Sequence, residues 1–319
     1  MPNDSPSALT PHPPPPPPDW RLLLRMTRPG FLTVTAAACA LGLASAAASG
    51  GGFDAPRALA TVLLALMAHA GGNVLNDYCD AHNGADAANT RGLFPFSGGS
   101  RLIQNGVVSV ADTGRWAAAL LILLIPLGLL LALHSGGGLV AIGLVGLLLA
   151  WAYSAPPLAL MSRGLGELAV AGAWWLVVVG ADYVQRRQFF VIPAVIAVSY
   201  ALLVANILLI NGIPDAEADA RVGKATLVVR LSPRRAAWLY LGIALLAHAW
   251  LALTGWLLIP PLAALWGLLS LPLSLAAGVL LLRHASEPQR LRPAIALSIA
   301  AAVMHGLSMA GGLVSLAWA

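Results

Sequence analysis

The sequence predicts an all-α fold, a polytopic bundle of membrane-spanning helices. Hydrophobic residues make up 59% of the 319 residues, whereas charged residues make up only 10%. A soluble protein carries about 25% charged residues, so this chain cannot cover a globular surface with charge. Several apolar stretches reach the roughly 20 residues that cross a bilayer as a helix. They do not show the short alternating segments of a membrane β-barrel.

About nine transmembrane helices are predicted from the apolar stretches between polar clusters, glycine runs and prolines. Their approximate ranges are 31–50, 57–76, 116–134, 138–153, 165–183, 190–210, 236–254, 256–282 and 294–316. The glycines at 136–138 predict a tight turn between two of these helices. Together the helices predict that residues 21–319 form a single transmembrane domain.

The first twenty residues differ in composition from everything that follows. They are rich in Pro and Ser and include the run HPPPPPP at 12–18. Such composition predicts a disordered or polyproline arm. The arm lacks the basic start and apolar core of a signal peptide, so residues 1–20 are expected to be a disordered N-terminal arm.

Positive charge is distributed unevenly between the two ends of the predicted bundle. With the N-terminus in the cytoplasm, fifteen of the eighteen Lys and Arg lie on the cytoplasmic side, and Arg57, Arg186 and Arg187 lie on the far side. Because positively charged loops stay in the cytoplasm, we expect a multi-pass protein of the inner (plasma) membrane with its C-terminus on the opposite side. The basic balance therefore reflects the lipid bilayer and not nucleic acid. No obligate protein partner is inferred.

Nearly half of the acidic side chains lie in two short runs on the predicted cytoplasmic side. They are Asp77, Asp80 and Asp86 in the first run and Asp215, Glu217 and Asp219 in the second. The spacing places Asp77 beside Asp80, and Asp215 beside Asp219, on one helical face, where like charges repel. A cation would offset this repulsion. Mg²⁺ is usually held by one or two carboxylates plus substrate phosphates, so the two runs predict Mg²⁺ ions around a diphosphate.

Basic and amide side chains next to the acidic runs complete the predicted diphosphate site. The basic candidates for phosphate contact are Arg91, Arg101, Arg221 and Lys224. Asn73 and Asn76 fall in the last apolar turn before the first run, where an amide needs a partner. The alternative is that these residues only solvate loops. Two acidic runs with basic partners, in a chain with so few charges, favour a functional site.

Both runs match signatures of intramembrane aromatic prenyltransferases, and the sequence resembles the UbiA superfamily. The first signature, Asn-Asp-x-x-Asp, is the stretch 76–80. The second, Asp-x-x-x-Asp followed by Gly-Lys-x-Thr-Leu, is the stretch 215–219 followed by 223–227. The likeness spans most of the chain from Arg28 to the last helix.

Within the superfamily the details are similar to the MenA-type branch, which prenylates 1,4-dihydroxy-2-naphthoate. Asn73 opens the first motif one turn early, and Gly84 stands where the 4-hydroxybenzoate branch places an Asp. The stretches 98–106, 153–157 and 164–167 are also similar to that branch.

The resemblance implies a polyprenyl transferase whose helices surround a central chamber that opens to the cytoplasmic side. It implies transfer of a polyprenyl group from its diphosphate to an aromatic acceptor, with Mg²⁺ as cofactor and water excluded from the allylic cation. The residues implied as catalytic and metal-binding are Asp77, Asp80, Asp215 and Asp219. The residues implied to bind the substrates are Asn73, Asn76, Arg91, Arg101, Lys224, Tyr153 and Arg28.

Several other polar residues are candidates for the site, each with a structural alternative. They are Asp86, Tyr78, Arg163, Glu167, His69 and Asn206. Tyr78 is equally an interface anchor, His69 a buried structural histidine, and Asn206 a helix–helix hydrogen bond. Asp182 is expected toward the far side, away from the diphosphate.

Two other functions remain open from the sequence. One is a prenyltransferase for a different acceptor, such as 4-hydroxybenzoate, homogentisate or a porphyrin. The other is a membrane transporter, which helices broken in mid-membrane and an inverted repeat would favour. The two acidic runs have the same orientation and lie at one face, which favours the enzyme.

Overall fold

The computed structural model of the chain describes residues 15–50, 52–90, 92–94 and 96–317, which contain helices and no strand. The α-helices are α1 Trp20–Met26, α2 Pro29–Ala47, α3 Ala55–Asn83, α4 Ala85–Ala88, α5 Val110–Ser135, α6 Gly138–Ser154, α7 Gly166–Arg186, α8 Val191–Arg221, α9 Leu227–Leu231, α10 Pro233–Trp256, α11 Leu271–His284 and α12 Arg292–Ala317. Short 3₁₀ segments cover Leu160–Arg163, Leu262–Ser270 and Pro288–Arg290.

Nine helical units in the described part of the chain have the composition of membrane spans. Eight are long and apolar enough to cross a bilayer: α2, α3, α5, α7, α8, α10, α12 and the unit Leu262–His284. The ninth, α6, is shorter at 17 residues. The chain is therefore a multi-pass membrane protein, and the predicted all-α bundle of about nine transmembrane helices is confirmed. Residues 1–14 of the predicted arm lie outside the described residues, and α1 begins at Trp20.

Capping side chains and glycines fix the helix ends. The side chain of Asp54 accepts a hydrogen bond from the Arg57 N–H at 2.9 Å at the start of α3, and Ser109 caps α5 through the Asp112 N–H at 2.9 Å. The predicted glycine turn joins α5 to α6. A Cβ on Gly138 would lie 2.5 Å from the Tyr183 ring, so only glycine fits there.

The structure differs from the predicted ranges where α3 and α8 end. The sequence predicts that these helices end near 76 and 210, but they continue to Asn83 and Arg221. Pro214 lies inside α8, although proline removes one backbone hydrogen bond from a helix. Both acidic runs are therefore largely helical, with the loops starting after them. A second difference is that the predicted helix 256–282 begins as the 3₁₀ segment Leu262–Ser270.

Small residues let the central helices approach closely, as in many membrane bundles, where packing replaces the hydrophobic effect between helices. A Cβ on Gly42 of α2 would lie 2.2 Å from the Val178 carbonyl oxygen of α7. The buried Tyr200 of α8 donates a hydrogen bond to the Val34 carbonyl of α2 and packs on Gly306 of α12. These contacts pack α2, α7, α8 and α12 closely against one another.

The two ends of the bundle carry different loops. Because successive helices alternate in direction, the connections after α3, α6, α8 and α11 lie at one end with the start of α2. That end carries the described members of the fifteen basic residues, and we call it the basic end. The Ala225 N–H donates to the Ser162 carbonyl at 2.9 Å across two of these loops. The acidic runs lie at the same end.

The close contact between α12 and the 3₁₀ segment predicts an asymmetry between two adjacent glycines. A Cβ on Gly312 would lie 2.0 Å from the Ala263 carbonyl oxygen, whereas a Cβ on Gly311 would meet nothing within 4 Å. Gly312→Ala should lower the free energy of unfolding by about 2 kcal/mol because the backbone must move. Gly311→Ala should leave it unchanged or slightly higher. Thermal unfolding in detergent measures both, and equal midpoints would contradict the packing.

Candidate active site

A cavity of about 470 Å³ lies between α2, α3, α5, α6, α7 and α8. Its basic end is polar, and the rest of its wall is mostly apolar. Ile125 and Leu129 of α5 and Leu144 of α6 line the cavity and are also 50%, 49% and 64% exposed. The cavity is therefore open between α5 and α6 on the surface that faces lipid.

The first carboxylate pair lies on the last turns of α3. Asp77 Oδ2 accepts a hydrogen bond from the Ser100 N–H at 3.1 Å, and its Oδ1 lies 3.9 Å from Arg28 Nη1. Asp80 lines the cavity and accepts hydrogen bonds from Asn83 at 3.0 Å and Asn76 at 3.2 Å. Both carboxylates are buried, so their charges need these donors.

The second pair lies on the last turns of α8, and groups from the loop after α3 hold it. Asp215 accepts a hydrogen bond from Asn89 Nδ2 at 2.6 Å and another from the Gly98 N–H at 3.0 Å. Asp219 lies one turn further and also lines the cavity. Because the loop of the first run binds a carboxylate of the second, the two runs face each other across one site.

Lys224 connects the two pairs. Its Nζ lies 2.8 Å from Asp80 Oδ1 and 3.4 Å from Asp219 Oδ1, and its side chain is 5% exposed. Burial lowers the pKa of Lys224, but the carboxylates of Asp80 and Asp219 raise it by more, so the pKa lies above its ordinary value. The ammonium is therefore charged and offsets the repulsion between the acidic runs.

A tight loop after α4 brings the backbone donors to the carboxylates. Gly98 and Gly99 have φ of 72° and 73°, which glycine adopts without strain. A Cβ on Gly99 would lie 2.5 Å from an Asp86 carboxylate oxygen. Arg101 donates to the carbonyl oxygens of Asp86 and Asn89 and lies 4.8 Å over the Phe94 ring. Arg101 thus holds the loop, and its direct contact with diphosphate stays a prediction.

Asp86 is the most strongly perturbed carboxyl in this loop. Burial raises its pKa to about 8, and the nearby carboxylates of Asp80 and Asp77 contribute in the same direction. Asp86 lines the cavity, and the nearby cations of Lys224 and Arg28 act on its pKa in the opposite direction.

The structure brings most of the predicted substrate-binding residues to the same cavity. Arg28, Asn73, Asn76, Tyr153 and Lys224 all line it. Asn73 Nδ2 donates to the Thr27 carbonyl at 2.9 Å, which fixes the start of α2 beside α3. Two of the weaker candidates, His69 and Glu167, also line the cavity.

Other candidates lie elsewhere. Tyr78 packs against Gly114 of α5 and lies 4.4 Å from the His82 ring, on a different face of α3. Arg221 is exposed and paired with Glu217. Asn206 donates to the Tyr240 carbonyl at 2.9 Å, which is the helix–helix hydrogen bond given as its alternative.

Arg163 and Asp182 each contact a residue that does not belong to the carboxylate pairs. Arg163 donates to the Pro157 carbonyl at 2.7 Å. Asp182 pairs with Arg186 at 2.8 Å, at the opposite end from the acidic runs. Arg91 lies outside the described residues, so its predicted role stays a prediction.

Several residues of the site were missed by sequence reasoning. Asn89, Gly98 and Ser100 hold the carboxylates from the loop after α4. Asn211 and Thr226 line the cavity and have buried side-chain oxygens without a hydrogen-bond partner among the described residues. Gly98 and Ser100 lie in the stretch 98–106, which is similar to the MenA-type branch, and its Gly-Gly pair indicates backbone that closely approaches another group.

The carboxylates of this site suit a metal ion that is shared with a substrate. Across 15–50, 52–90, 92–94 and 96–317, no group of three or more His, Cys, Asp and Glu converges as a metal site by itself. Asp77 Oδ1 is buried without a hydrogen-bond partner. Asp80, Asp215 and Asp219 line the cavity and supply hard oxygen ligands, which fit a Mg²⁺ that would complete its shell with phosphate oxygens and water.

The fold and this site define a membrane-embedded prenyltransferase, as a comparison with known sequences shows. The sequence signature of the UbiA prenyltransferase family matches residues 35–301, which is most of the chain. The protein belongs to the UbiA prenyltransferase family. It is therefore an enzyme, and the transporter alternative is set aside.

Two relatives in bacteria cover most of the chain. The 1,4-dihydroxy-2-naphthoate octaprenyltransferase of Mycobacterium tuberculosis is 31% identical over 259 residues, which is 81% of this chain and 85% of that protein. The protein of the same name from Escherichia coli is 30% identical over 308 residues, 93% of this chain and 96% of that one.

Solved structures share the fold at low identity. A UbiA homolog from Archaeoglobus fulgidus bound to GPP and Mg²⁺ superimposes with a TM-score of 0.58 at 16% identity, over 91% of this chain and 99% of that chain. The same homolog bound to Cd²⁺ gives a TM-score of 0.59 at 18% identity, over 92% and 99%. At this identity the likeness establishes the fold alone.

Lys224 generates a prediction about stability that does not depend on catalysis. Lys224→Met leaves Asp80 and Asp219 buried without their cation and should lower the free energy of unfolding by about 3 kcal/mol. Adding Asp80→Asn to the same chain should recover part of that loss, because one buried charge disappears. Thermal unfolding in detergent with a chelator measures both variants. A double variant no more stable than Lys224→Met would contradict the bridging role.

Proposed function

We propose that the protein transfers a polyprenyl group from its diphosphate to 1,4-dihydroxy-2-naphthoate in a Mg²⁺-dependent reaction, with residues 21–319 acting as a single domain. The observation that carries the proposal is the pair of facing carboxylate runs, joined by Lys224 at the polar end of an otherwise apolar cavity. The names of the two bacterial relatives support the acceptor.

The residues proposed to hold Mg²⁺ are Asp77, Asp80, Asp215 and Asp219, with Asn73 and Asn76 orienting them. Mg²⁺ bound there would neutralise charge on the leaving diphosphate. With Mg²⁺ bound, the carboxylates of Asp80 and Asp219 would have a second cation besides Lys224. The ammonium of Lys224 could then contact phosphate oxygens as a point charge at the junction of the two runs.

Arg28 is the second cation proposed to meet an anionic substrate group. It lines the cavity, and its Nε is buried without a hydrogen-bond partner among the described residues. Its nearest carboxylate oxygen, on Asp77, is 3.9 Å away. The guanidinium therefore has donors left for an oxygen of the diphosphate or of the acceptor's carboxylate.

The apolar wall and Tyr153 are proposed to protect the reacting carbon. As the diphosphate leaves, positive charge develops on the allylic carbon, and water would convert it to an alcohol. The helices around the cavity exclude water from this carbon. Tyr153 lines the cavity on α6, where its ring face can stabilise positive charge. The opening between α5 and α6 lets the rest of the prenyl chain lie in lipid.

We propose that the basic end faces the cytoplasm of the inner (plasma) membrane. The positive-inside rule supports this orientation, since only Arg57, Arg186 and Arg187 lie at the other end. We expect a C-terminal alkaline phosphatase fusion to be active and an equivalent fusion after Ser286, in the loop between α11 and α12, to be inactive. The reverse pattern would contradict the orientation.

The transfer reaction predicts that acidic residues of the two runs differ in their effect on turnover. Asp77→Ala combined with Asp215→Ala should lower turnover about a hundredfold or more, because one carboxylate of each pair is lost. Glu217→Gln is the matched control. Glu217 lies between Asp215 and Asp219, but its side chain is 62% exposed and pairs with Arg221, so turnover should stay unchanged.

The assay uses membranes, one long-chain prenyl diphosphate, Mg²⁺ and a panel of acceptors, with products identified by mass. The panel contains 1,4-dihydroxy-2-naphthoate, 4-hydroxybenzoate and homogentisate. Full activity of the double Asp variant would refute the assigned roles. Prenylation of 4-hydroxybenzoate or homogentisate, but not of the naphthoate, would refute the proposed acceptor and leave the enzyme class intact.

A further inference from the structure

Three polar side chains interrupt the apolar wall of the cavity away from the carboxylates. Thr35 comes from α2, His69 from α3 and Trp174 from α7, and all three line the cavity. Thr35 Oγ1 lies 2.8 Å from His69 Nδ1. The His69 and Trp174 rings meet edge to face with centroids 4.8 Å apart. These three residues therefore form one cluster, which we call the polar triad.

The polar triad has hydrogen-bonding capacity that the described residues leave unused. Trp174 Nε1 is buried and has no partner. His69 uses Nδ1 for Thr35, and its Nε2 makes no hydrogen bond to any described residue. With the proton on Nδ1, Nε2 presents a lone pair. In this tautomer the triad offers one acceptor and one donor on two rings that are in contact, in a wall where unpaired polar groups are costly.

Two histidines in the bundle, His248 and His305, are buried and have a purely structural role. His248 bonds the Ala244 carbonyl at 2.8 Å through Nδ1 and Ser270 Oγ at 2.9 Å through Nε2. His305 bonds the Gly267 carbonyl at 2.9 Å and Ser199 Oγ at 3.0 Å. Both of their ring nitrogens have partners. His69 differs in lining a cavity with one ring nitrogen unpaired.

The position of the triad fits the far edge of an aromatic ring. His69 lies one helical turn from Asn73 on the same face of α3, about 6 Å along the axis. Thr35 lies nearly two turns into α2, whose N-cap is Arg28. A ring whose edge with the 1-hydroxyl and the 2-carboxylate lies at the level of Arg28 and Asn73 would place its 4-hydroxyl, para to the 1-hydroxyl, at the level of His69.

We propose that Thr35, His69 and Trp174 bind the distal hydroxyl of a para-dihydroxy aromatic acid and so select this class of acceptor over ortho-hydroxy acids that lack the second hydroxyl. The inference rests on the proposed function and extends it to an acceptor subsite. A hydroxyl can donate to His69 Nε2 and accept from Trp174 Nε1 at the same time. A hydrogen atom in its place does neither, and a quinone carbonyl cannot donate.

The test compares two acceptors that differ only in that hydroxyl, 1,4-dihydroxy-2-naphthoate and 1-hydroxy-2-naphthoate. The kcat/KM of each is measured for the full-length protein in membranes, and the ratio of the two removes effects common to both. His69→Leu and Trp174→Phe should lower kcat/KM for the dihydroxy acceptor about tenfold. They should change the value for the monohydroxy acceptor by less than about threefold, with most of the difference in KM.

A pair of threonines provides the matched control. Thr35→Val should lower the dihydroxy to monohydroxy ratio, because Thr35 fixes the His69 ring. Thr61→Val removes a hydroxyl from the same cavity, but that hydroxyl already bonds the Arg57 carbonyl of its own helix at 2.8 Å, so the ratio should not change. Equilibrium binding of the two naphthoates to the purified protein supplies a readout without turnover.

The possible results separate this inference from the proposed function. Wild-type protein that prenylates none of the acceptors would overturn both. Wild-type protein that prenylates and binds the two naphthoates, with the same ratio in every variant, would overturn only the role of the triad. If His69→Leu fails to fold, Trp174→Phe and Thr35→Val decide the question, since the first keeps an aromatic ring and the second replaces a hydroxyl by a methyl group of the same size.

Discussion

The contact between Lys224 and the two acidic runs is the interaction on which the site depends. Asp80 and Asp219 come from helices separated by more than a hundred residues of chain, and both approach one ammonium. Burying several carboxylates together is unfavourable unless cations and donors surround them. Here the compensation comes from Lys224, from backbone N–H groups and from amides. The same features that keep the charges buried make the site ready to accept other cations with an anionic substrate.

Sequence reasoning could predict the architecture because its signals are strong and local. Long apolar stretches, their caps and the bias of Arg and Lys to one end define a helical bundle and its two ends. The ends of α3 and α8 were predicted too early, because polarity was read as the end of a helix. Asp215 and Asp219 instead stay helical beyond Pro214, where groups from the facing loop bind Asp215. Such a tertiary effect has no signature in the local sequence.

The carboxylates of the candidate site could be predicted from the sequence, but most of the groups that donate hydrogen bonds to them could not. Asp77 and Asp215 follow from motif spacing, and their clustering follows from a shared membrane face. The roles of Asn89 and Ser100 depend on a loop that returns across the site, and their residue types are ordinary for a loop. For Arg101 the positive charge predicts a phosphate contact, whereas in the structure its guanidinium donates to the carbonyl oxygens of Asp86 and Asn89 in the loop. His69 is a site candidate from the sequence, but its contacts with Thr35 and Trp174 come from α2 and α7 and have no signature in the local sequence.

The gap between α5 and α6 has a consequence for how the enzyme handles long hydrocarbon chains. Gly128, Gly143 and Gly146 border the cavity there, and an added Cβ on any of them would meet no atom within 4 Å. A prenyl tail leaving through this gap continues into fluid lipid, which has no fixed end wall. In the proposed reaction the protein would contact the head and first units of the chain, and the bilayer would solvate the remainder. Such a cavity would not limit tail length, and the product would already lie in the lipid phase that dissolves it.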